Sequence, residues 1–356
     1  EIVYKVTGVW QVLEPALKKA GIKYALFTGV IPNPTVDGID EATAMGKKAG
    51  VGAVIGIGGG SAVDTGKSAA VLLHPDYVQY NARDLYLYKF DAVKAVPIIA
   101  INTTHGTGTE MDRFAVASIP ELEYKPALAV DCLYPQFAID DPAIMVGLPS
   151  GQTRYTAIDA LNHVVEAATS LATNPYVVLT AMETGRLVAK YLPQALAHPD
   201  DLTARYYLLY ASMIGGICFD NGLLHFTHAM EHPLSGIKPD LPHGLGLAML
   251  LPAVIKVIYP ACPEILASIF RSYVPELQGV PGEAEKCAAG VEKWLFNVGV
   301  TEKLADYGYT EKDLENATRL TFETPSLNIL LSVAPVKATE EIVRKIYMDS
   351  LKPMNP

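Results

Sequence analysis

The spacing of hydrophobic positions changes once along the chain. Up to about Pro149, short apolar runs alternate with helix-length stretches, and Tyr24 to Phe27, Ala53 to Ile57, Val96 to Ile101 and Ala127 to Val130 read as short buried strands. Strands separated in this way are expected to pair in parallel through right-handed crossovers. From residue 153 to 350 the apolar positions instead recur every 3.6 residues, in segments such as TAIDALNHVVEAAT, VVLTAMETGRLVAKYL and EAEKCAAGVEKWLFNVG. The pattern predicts an α/β domain with a parallel sheet over residues 1–149 and an all-α domain over residues 150–356. A doubly wound sheet normally opens on a strand, whereas EIVYKVTGVWQVLEPALKKAGIKY reads as a short remnant and one helix. The opening strand is therefore expected to be missing.

Composition narrows the function. A length of 356 residues exceeds what one core usually fills, and 50% hydrophobic residues with 19% charged supply a large buried interior. The formal net charge of −10 and the lack of a Lys/Arg run argue against nucleic acid as a partner. No run approaches about 18 uninterrupted apolar residues and the first residues do not resemble an export signal, so a cytoplasmic protein that does not span a membrane is expected. Cys132, Cys218, Cys262 and Cys287 are far apart and read as reduced core residues.

Two polar turns carry candidate phosphate chemistry. The run Ala53-Val54-Ile55 leads into Gly56-Ile57-Gly58-Gly59-Gly60-Ser61 and then into the helical pattern AVDTGKSAAVLL. Glycines admit an anion close to the backbone, and the free N–H groups at a helix start attract it. This is not a P-loop, because five residues separate Gly60 from Gly66 where that motif has four. After VPIIAI comes Asn102-Thr103-Thr104-His105-Gly106-Thr107-Gly108-Thr109-Glu110, a second small polar turn at a strand end. Together the turns point to a nucleotide crevice.

The helical half holds candidate metal ligands. Six of the eight histidines fall between Asn162 and Gly244. Asp159 and His163 stand at i, i+4 on one helix face, and His225, His228 and His232 at i, i+3, i+7 before Pro233 is expected to interrupt the helix. His243 opens the next apolar helix. A carboxylate and imidazoles on apolar faces are costly to bury without a partner, and a divalent ion such as Fe²⁺, Zn²⁺, Co²⁺ or Ni²⁺ is a suitable one. Spacing leaves open which ion and which of the clustered histidines.

In order along the chain, VIPNPT, GGGSAVDTGK, TTHGTGTE, IDALNHVVEA and HAMEHPLSGIKPDLPHGLGLAMLLP resemble the iron-containing (group III) alcohol dehydrogenase family, from Val30 through Pro252 and more weakly beyond. The resemblance implies a dehydroquinate synthase-like architecture, a dinucleotide-binding α/β domain followed by a helical domain with nicotinamide and metal facing each other across the cleft. It implies Asp159, His163, His228 and His243 as metal ligands, and His232 as a non-ligand histidine beside nicotinamide and substrate. It further implies Gly58, Gly59, Gly60, Ser61 and Asp64 at the pyrophosphate, Thr103, Thr104 and Thr107 at the second cofactor turn, and Lys125 at the cofactor ribose. The sequence departs from the family pattern at His105, Asp112 and His225, where smaller residues are usual, and the interval from His232 to His243 is one residue longer.

The implied reaction is reversible, NAD- or NADP-dependent oxidation of a small primary alcohol to its aldehyde, with Fe²⁺ or Zn²⁺ acting on the substrate oxygen and His232 passing on the hydroxyl proton near neutral pH. His225 is expected to fill part of the cleft and to favour two- to four-carbon alcohols. Alternatives are a glycerol dehydrogenase, maleylacetate reductase or dehydroquinate synthase of the same architecture, or a non-catalytic nucleotide- or metal-binding assembly module. The cleft motifs hold few of the Lys and Arg residues that a dehydroquinate synthase needs. Assembly into a homo-oligomer is left open.

Overall fold

The computed structural model describes residues 3–354; Glu1, Ile2, Asn355 and Pro356, the extremes of the two expected domains, lie outside the described residues. Helices α1 (Val3–Val6) and α2 (Val9–Lys19) come first. The expected strand Tyr24 to Phe27 does not form. A strand persists only where a neighbour takes its backbone hydrogen bonds. Among the described residues strand β1 (Val54–Gly58) pairs only with β2 (Ile98–Asn102), so the run has no ladder there, and Tyr24 and Leu26 stay 41% and 39% exposed.

Helix α3 (Val36–Ala49) starts where Thr35 accepts the N–H of Gly38 and stops at Gly50, whose φ of 63° suits a residue without a Cβ. β1 runs into α4 (Gly60–Leu72), and α5 (Ala82–Tyr86) precedes β2. Strands β3 (Phe114–Val116), β4 (Ala127–Ala129) and β5 (Phe137–Asp140) follow. The parallel sheet has the order β1-β2-β5, with Gly58 opposite Asn102 and Asn102 opposite Asp140. This register brings both polar turns to one end of neighbouring strands.

The run Ala127 to Val130 was expected among the parallel strands, but β4 instead pairs antiparallel with β3. Residues 117–126 between them contain one 3-10 turn, Pro120–Leu122, and are too short for a parallel crossover. β5 escapes the hydrophobic pattern because its side chains are mostly exposed, Phe137 at 67%.

No strand occurs among the described residues after Asp140. Helices α6 (Ser150–Thr169), α7 (Pro175–Ala197) and α8 (Leu202–Gly222) pack on one another, and α9 (Phe226–Ile237) and α10 (His243–Ile258) lie against α6. Asn174 and Asp201 cap α7 and α8 by accepting backbone N–H bonds. α9 runs through Pro233 rather than stopping there. The stretch His243–Ala261 is apolar and long enough to cross a membrane by composition, yet 78% of it is buried inside the protein, as a central core helix requires. Helices α11 (Pro263–Phe270), α12 (Ala284–Asn297), α13 (Glu311–Glu323), α14 (Leu327–Ser332) and α15 (Glu340–Asp349) complete the bundle.

Candidate cofactor and metal site

The glycine turn and the second turn interlock. α4 has no side-chain cap, so its first N–H groups are available, and Gly58 has a φ of 152° that a Cβ would strain. A Cβ on Gly59 would lie 2.7 Å from Thr104, and one on Gly60 2.7 Å from Thr107. Glycine is therefore needed to seat the second turn against the first. Thr104 is fixed in turn by Asn102, whose Oδ1 accepts its N–H, and Thr103 donates its N–H to the carbonyl of Gly58. Ser61 stands in the first turn of α4. The Asp64 carboxylate faces inward, accepting from Thr109 Oγ1 at 2.7 Å and the Val116 N–H at 3.0 Å. In this geometry it braces the cradle.

The departures at His105 and Asp112 have structural partners. His105 is fully buried between Thr156 of α6 and Arg205 of α8, with ring nitrogens 3.2 and 3.1 Å from them. Burial and the Arg205 charge hold its pKa down to about 3, so it is neutral. Arg205 also donates to Thr153 and to the Pro199 carbonyl, which moors the second turn to the helical half. Asp112 receives the buried Lys67 ammonium at 2.9 Å and the Phe114 N–H. Lys67 is thereby turned away from the cradle.

Helix α6 presents Asp159, His163 and Glu166 at i, i+4, i+7, on one buried face. His163 Nε2, His228 Nε2 and His243 Nε2 lie 3.3, 3.4 and 3.8 Å from the same atom, Asp159 Oδ1. His163 and His228 stack with ring centres 4.6 Å apart. All four residues implied as ligands thus converge on one point, His228 from α9 and His243 from the first turn of α10. Burial disfavours ionising Asp159, yet the three imidazoles hold its carboxyl well below the usual range. Burial also opposes a charge on His228, but Glu166 and Asp159 raise its pKa to about 9. Positive charge between two buried carboxylates is the demand that a divalent cation meets, and the N₃O donor set suits Fe²⁺ or Zn²⁺.

His232 lies one turn beyond His228. Its Nδ1 is 2.8 Å from the Lys125 carbonyl, which makes Nδ1 the N–H donor and leaves Nε2 as the lone-pair nitrogen. Burial and the Lys125 ammonium push its pKa well below the ordinary imidazole value, so the expected titration near neutrality is corrected toward acid. The Lys125 ammonium itself lies on Glu231 Oε2 at 3.3 Å and Ser235 Oγ at 2.9 Å. One residue of the sheet-bearing half thus grips α9 through its carbonyl and its side chain.

The expectation for His225 fails. α9 begins at Phe226, so His225 is its N-cap and lies outside the helical face that carries His228. It is fully buried, with Nε2 2.9 Å from Thr169 Oγ1 and Nδ1 accepting the Phe226 N–H. It packs between helices and does not narrow the cleft.

Three contributors were not singled out from sequence. Glu166 contacts His228 Nδ1, Glu231 contacts His243 Nδ1, and Asn33 of VIPNPT holds the loop before His243 through the Pro239 and Leu241 carbonyls. A signal was available for both glutamates. Glu166 continues the i, i+4 series of Asp159 and His163, and Glu231 is a carboxylate between the two candidate histidines of HAMEHP.

The iron-containing alcohol dehydrogenase family model matches residues 2–142, and the model of the C-terminal part of the Fe-containing alcohol dehydrogenase family matches residues 153–351. A long-chain primary alcohol dehydrogenase of Thermoanaerobacter ethanolicus is 59% identical over 98% of this chain and 86% of its own length. A 1,3-propanediol dehydrogenase of Klebsiella pneumoniae is 34% identical over 83% of this chain and 76% of its own. The crystal structure of an NADH-dependent butanol dehydrogenase A from Thermotoga maritima matches with a TM-score of 0.87 at 29% identity, covering 99% of this chain and 89% of that one. With both halves matched in order, the chain belongs to the iron-containing alcohol dehydrogenase family.

Proposed function

We propose that the protein catalyses reversible hydride transfer between a nicotinamide dinucleotide, NAD or NADP, and a primary alcohol/aldehyde pair, with Fe²⁺ rather than Zn²⁺ as its resident ion. The observation that carries this reading is the convergence of three imidazole nitrogens on Asp159 Oδ1. Asp159, His163, His228 and His243 would hold the ion, which supplies a Lewis acid for the substrate oxygen. Gly58, Gly59, Gly60 and Ser61 would receive the pyrophosphate on the N-terminus of α4, beside Thr103, Thr104 and Thr107. Asp64 and Lys125 serve the same crevice by bracing it, through Val116 and Thr109 and through Glu231. His232 accepts the hydroxyl proton at Nε2, because its Nδ1–H is committed to the Lys125 carbonyl. The apolar residues buried around the cluster exclude water from the transfer.

The small alcohols expected from the sequence are substrates on this reading, and His225 sets no limit on longer tails. The relative named for long-chain primary alcohols supports the same extension. The cysteines are unpaired, which supports a cytoplasmic site of action, and the charge of −10 supports a small-molecule substrate over nucleic acid. The test is turnover of protein loaded anaerobically with Fe²⁺, using NAD⁺ and NADP⁺ with alcohols from ethanol to octanol. Reduced nicotinamide should form with one or both dinucleotides, and kcat/KM should hold or rise with chain length. Protein that binds both metal and dinucleotide yet oxidises no primary alcohol overturns the reading.

A further inference from the structure

An imidazole can give only one nitrogen to a metal, and the hydrogen bond made by the other decides which one and at what angle. Two of the three histidines around Asp159 have a buried carboxylate at that second nitrogen. His228 Nδ1 meets Glu166 Oε2, and His243 Nδ1 meets Glu231 Oε2, while both Nε2 atoms face Asp159. His163 lacks such support: its Nδ1 is buried with no hydrogen-bond partner among the described residues, and its ring packs on Phe219 at 4.6 Å.

Both carboxylates are built into the fold. Glu166 is fully buried, and its Oε1 accepts the backbone N–H groups of His225 and His228 at 3.0 and 3.2 Å. It therefore closes the N-terminus of α9, where free N–H groups and the helix dipole favour a negative charge. Glu231, also fully buried, is held on Oε2 by Lys125. Space for it exists because residue 246 is glycine; a Cβ there would lie 2.7 Å from Glu231 Cγ. Glu231, His232 and His243 offer ligand atoms within 4.8 Å of one another. The Lys125 ammonium on Glu231 Oε2 argues against a second cation there and for a support role.

We propose that Glu166 and Glu231 are positioning residues for the metal, each fixing one imidazole with Nδ1–H inward and Nε2 free, and each strengthening that nitrogen as a donor. The proposal rests on the metal site assigned above. It also ranks the ligands: His228 and His243 are the firm pair and His163 the weak third.

Co²⁺ is a suitable probe because its visible bands report the ligand field. Its dissociation constant would be measured by chelator competition for the wild type, Glu166→Gln, Glu231→Gln and, as a control, Glu292→Gln, which removes a buried charge paired with Lys303 elsewhere. Glu166→Gln and Glu231→Gln should each weaken Co²⁺ binding about 10- to 100-fold and shift the visible bands, while Glu292→Gln leaves both unchanged. Wild-type binding with no change in either glutamine variant overturns the proposal and leaves the metal site standing. Failure of the wild type to bind Co²⁺ overturns both. Should a variant not fold, the Zn²⁺-loaded wild type, labelled with ¹⁵N, gives the answer. Protons on Nδ1 of His228 and His243 should exchange slowly and resonate downfield, and that of His163 should not; metal on Nδ1 of either overturns the assignment.

Discussion

Asp159 and His232 are both buried beside His243, yet their surroundings give them opposite tasks. Three imidazole nitrogens converge on one Asp159 oxygen, so Asp159→Ala should remove the metal along with the activity, as should His228→Ala. Metal analysis by atomic emission checks this, and a metal-free variant with undiminished turnover would refute the ligand set. His232 has its Nδ1 fixed on a carbonyl of the sheet-bearing half. His232→Ala is therefore expected to keep its metal and lose roughly 10²- to 10⁴-fold in kcat, the usual worth of a general base; loss of metal in this variant would make it a ligand. The spacing of these residues was legible in the sequence. Which group meets the second nitrogen of each histidine was not, since Glu166, Glu231 and Lys125 reach the histidines only through folding. The same limit explains His225: i, i+3 spacing places two residues on one face only when both are helical, and α9 starts one residue later.

At the scale of elements, the second polar turn is wedged between the glycine turn and the crossing of α6 with α8. A Cβ on Gly59 would push against Thr104, and one on Gly106 would lie 2.5 Å from Thr156. Gly59→Val should thus weaken dinucleotide affinity by tenfold or more while metal content stays unchanged. Equal dinucleotide affinity by titration calorimetry would show that the turn only connects β1 to α4. Arg205→Met tests the mooring from the other side. Losing the bonds to His105, Thr153 and the Pro199 carbonyl leaves buried polar groups unpaired, which costs about 1–3 kcal/mol. The KM for dinucleotide should rise with it, as the turn is released from α8; a loss of stability with unchanged KM would make the contact purely structural.

For the molecule as a whole, metal and protons both couple to folding. An ion that binds only the folded chain stabilises it by about 2.7 kcal/mol at a hundred times its Kd. Chelation should accordingly lower Tm and readdition of Fe²⁺ without oxygen restore it, whereas a Tm indifferent to chelator would contradict a site built from α6, α9 and α10. Protons act in the opposite sense through His105 and His225, whose pKa values burial depresses to about 3 and about 4. The unfolded chain takes up these protons from about pH 6.5, so below that pH it binds more of them than the native state does. Stability should fall as pH drops from about 6.5 toward 4, by up to about 1.4 kcal/mol per pH unit for each histidine. Urea midpoints across this range check the slope, which should be shallower in His105→Asn; an identical slope would remove His105 from the account.

Periodicity by itself determined that a strand-bearing half precedes a helical half, because burial of one face imposes a repeat of two or 3.6 whatever the neighbours are. It also placed the two polar turns and the buried Asp and His positions, since glycine at a strand end and paired ligands on a helix face are local constraints. Tertiary structure alone decided which runs became strands. Tyr24 to Phe27 lacks a partner for its backbone, Ala127 to Val130 returns antiparallel to β3 across a short link, and β5 is held by β2 although its side chains face outward. It also decided that Lys125 faces Glu231, that Asp64 braces Val116, and that three histidines from three helices share one carboxylate oxygen. Hydrogen-bond partners remote in sequence are set by the packing of whole elements, and the spacing of residues along one element carries no record of it.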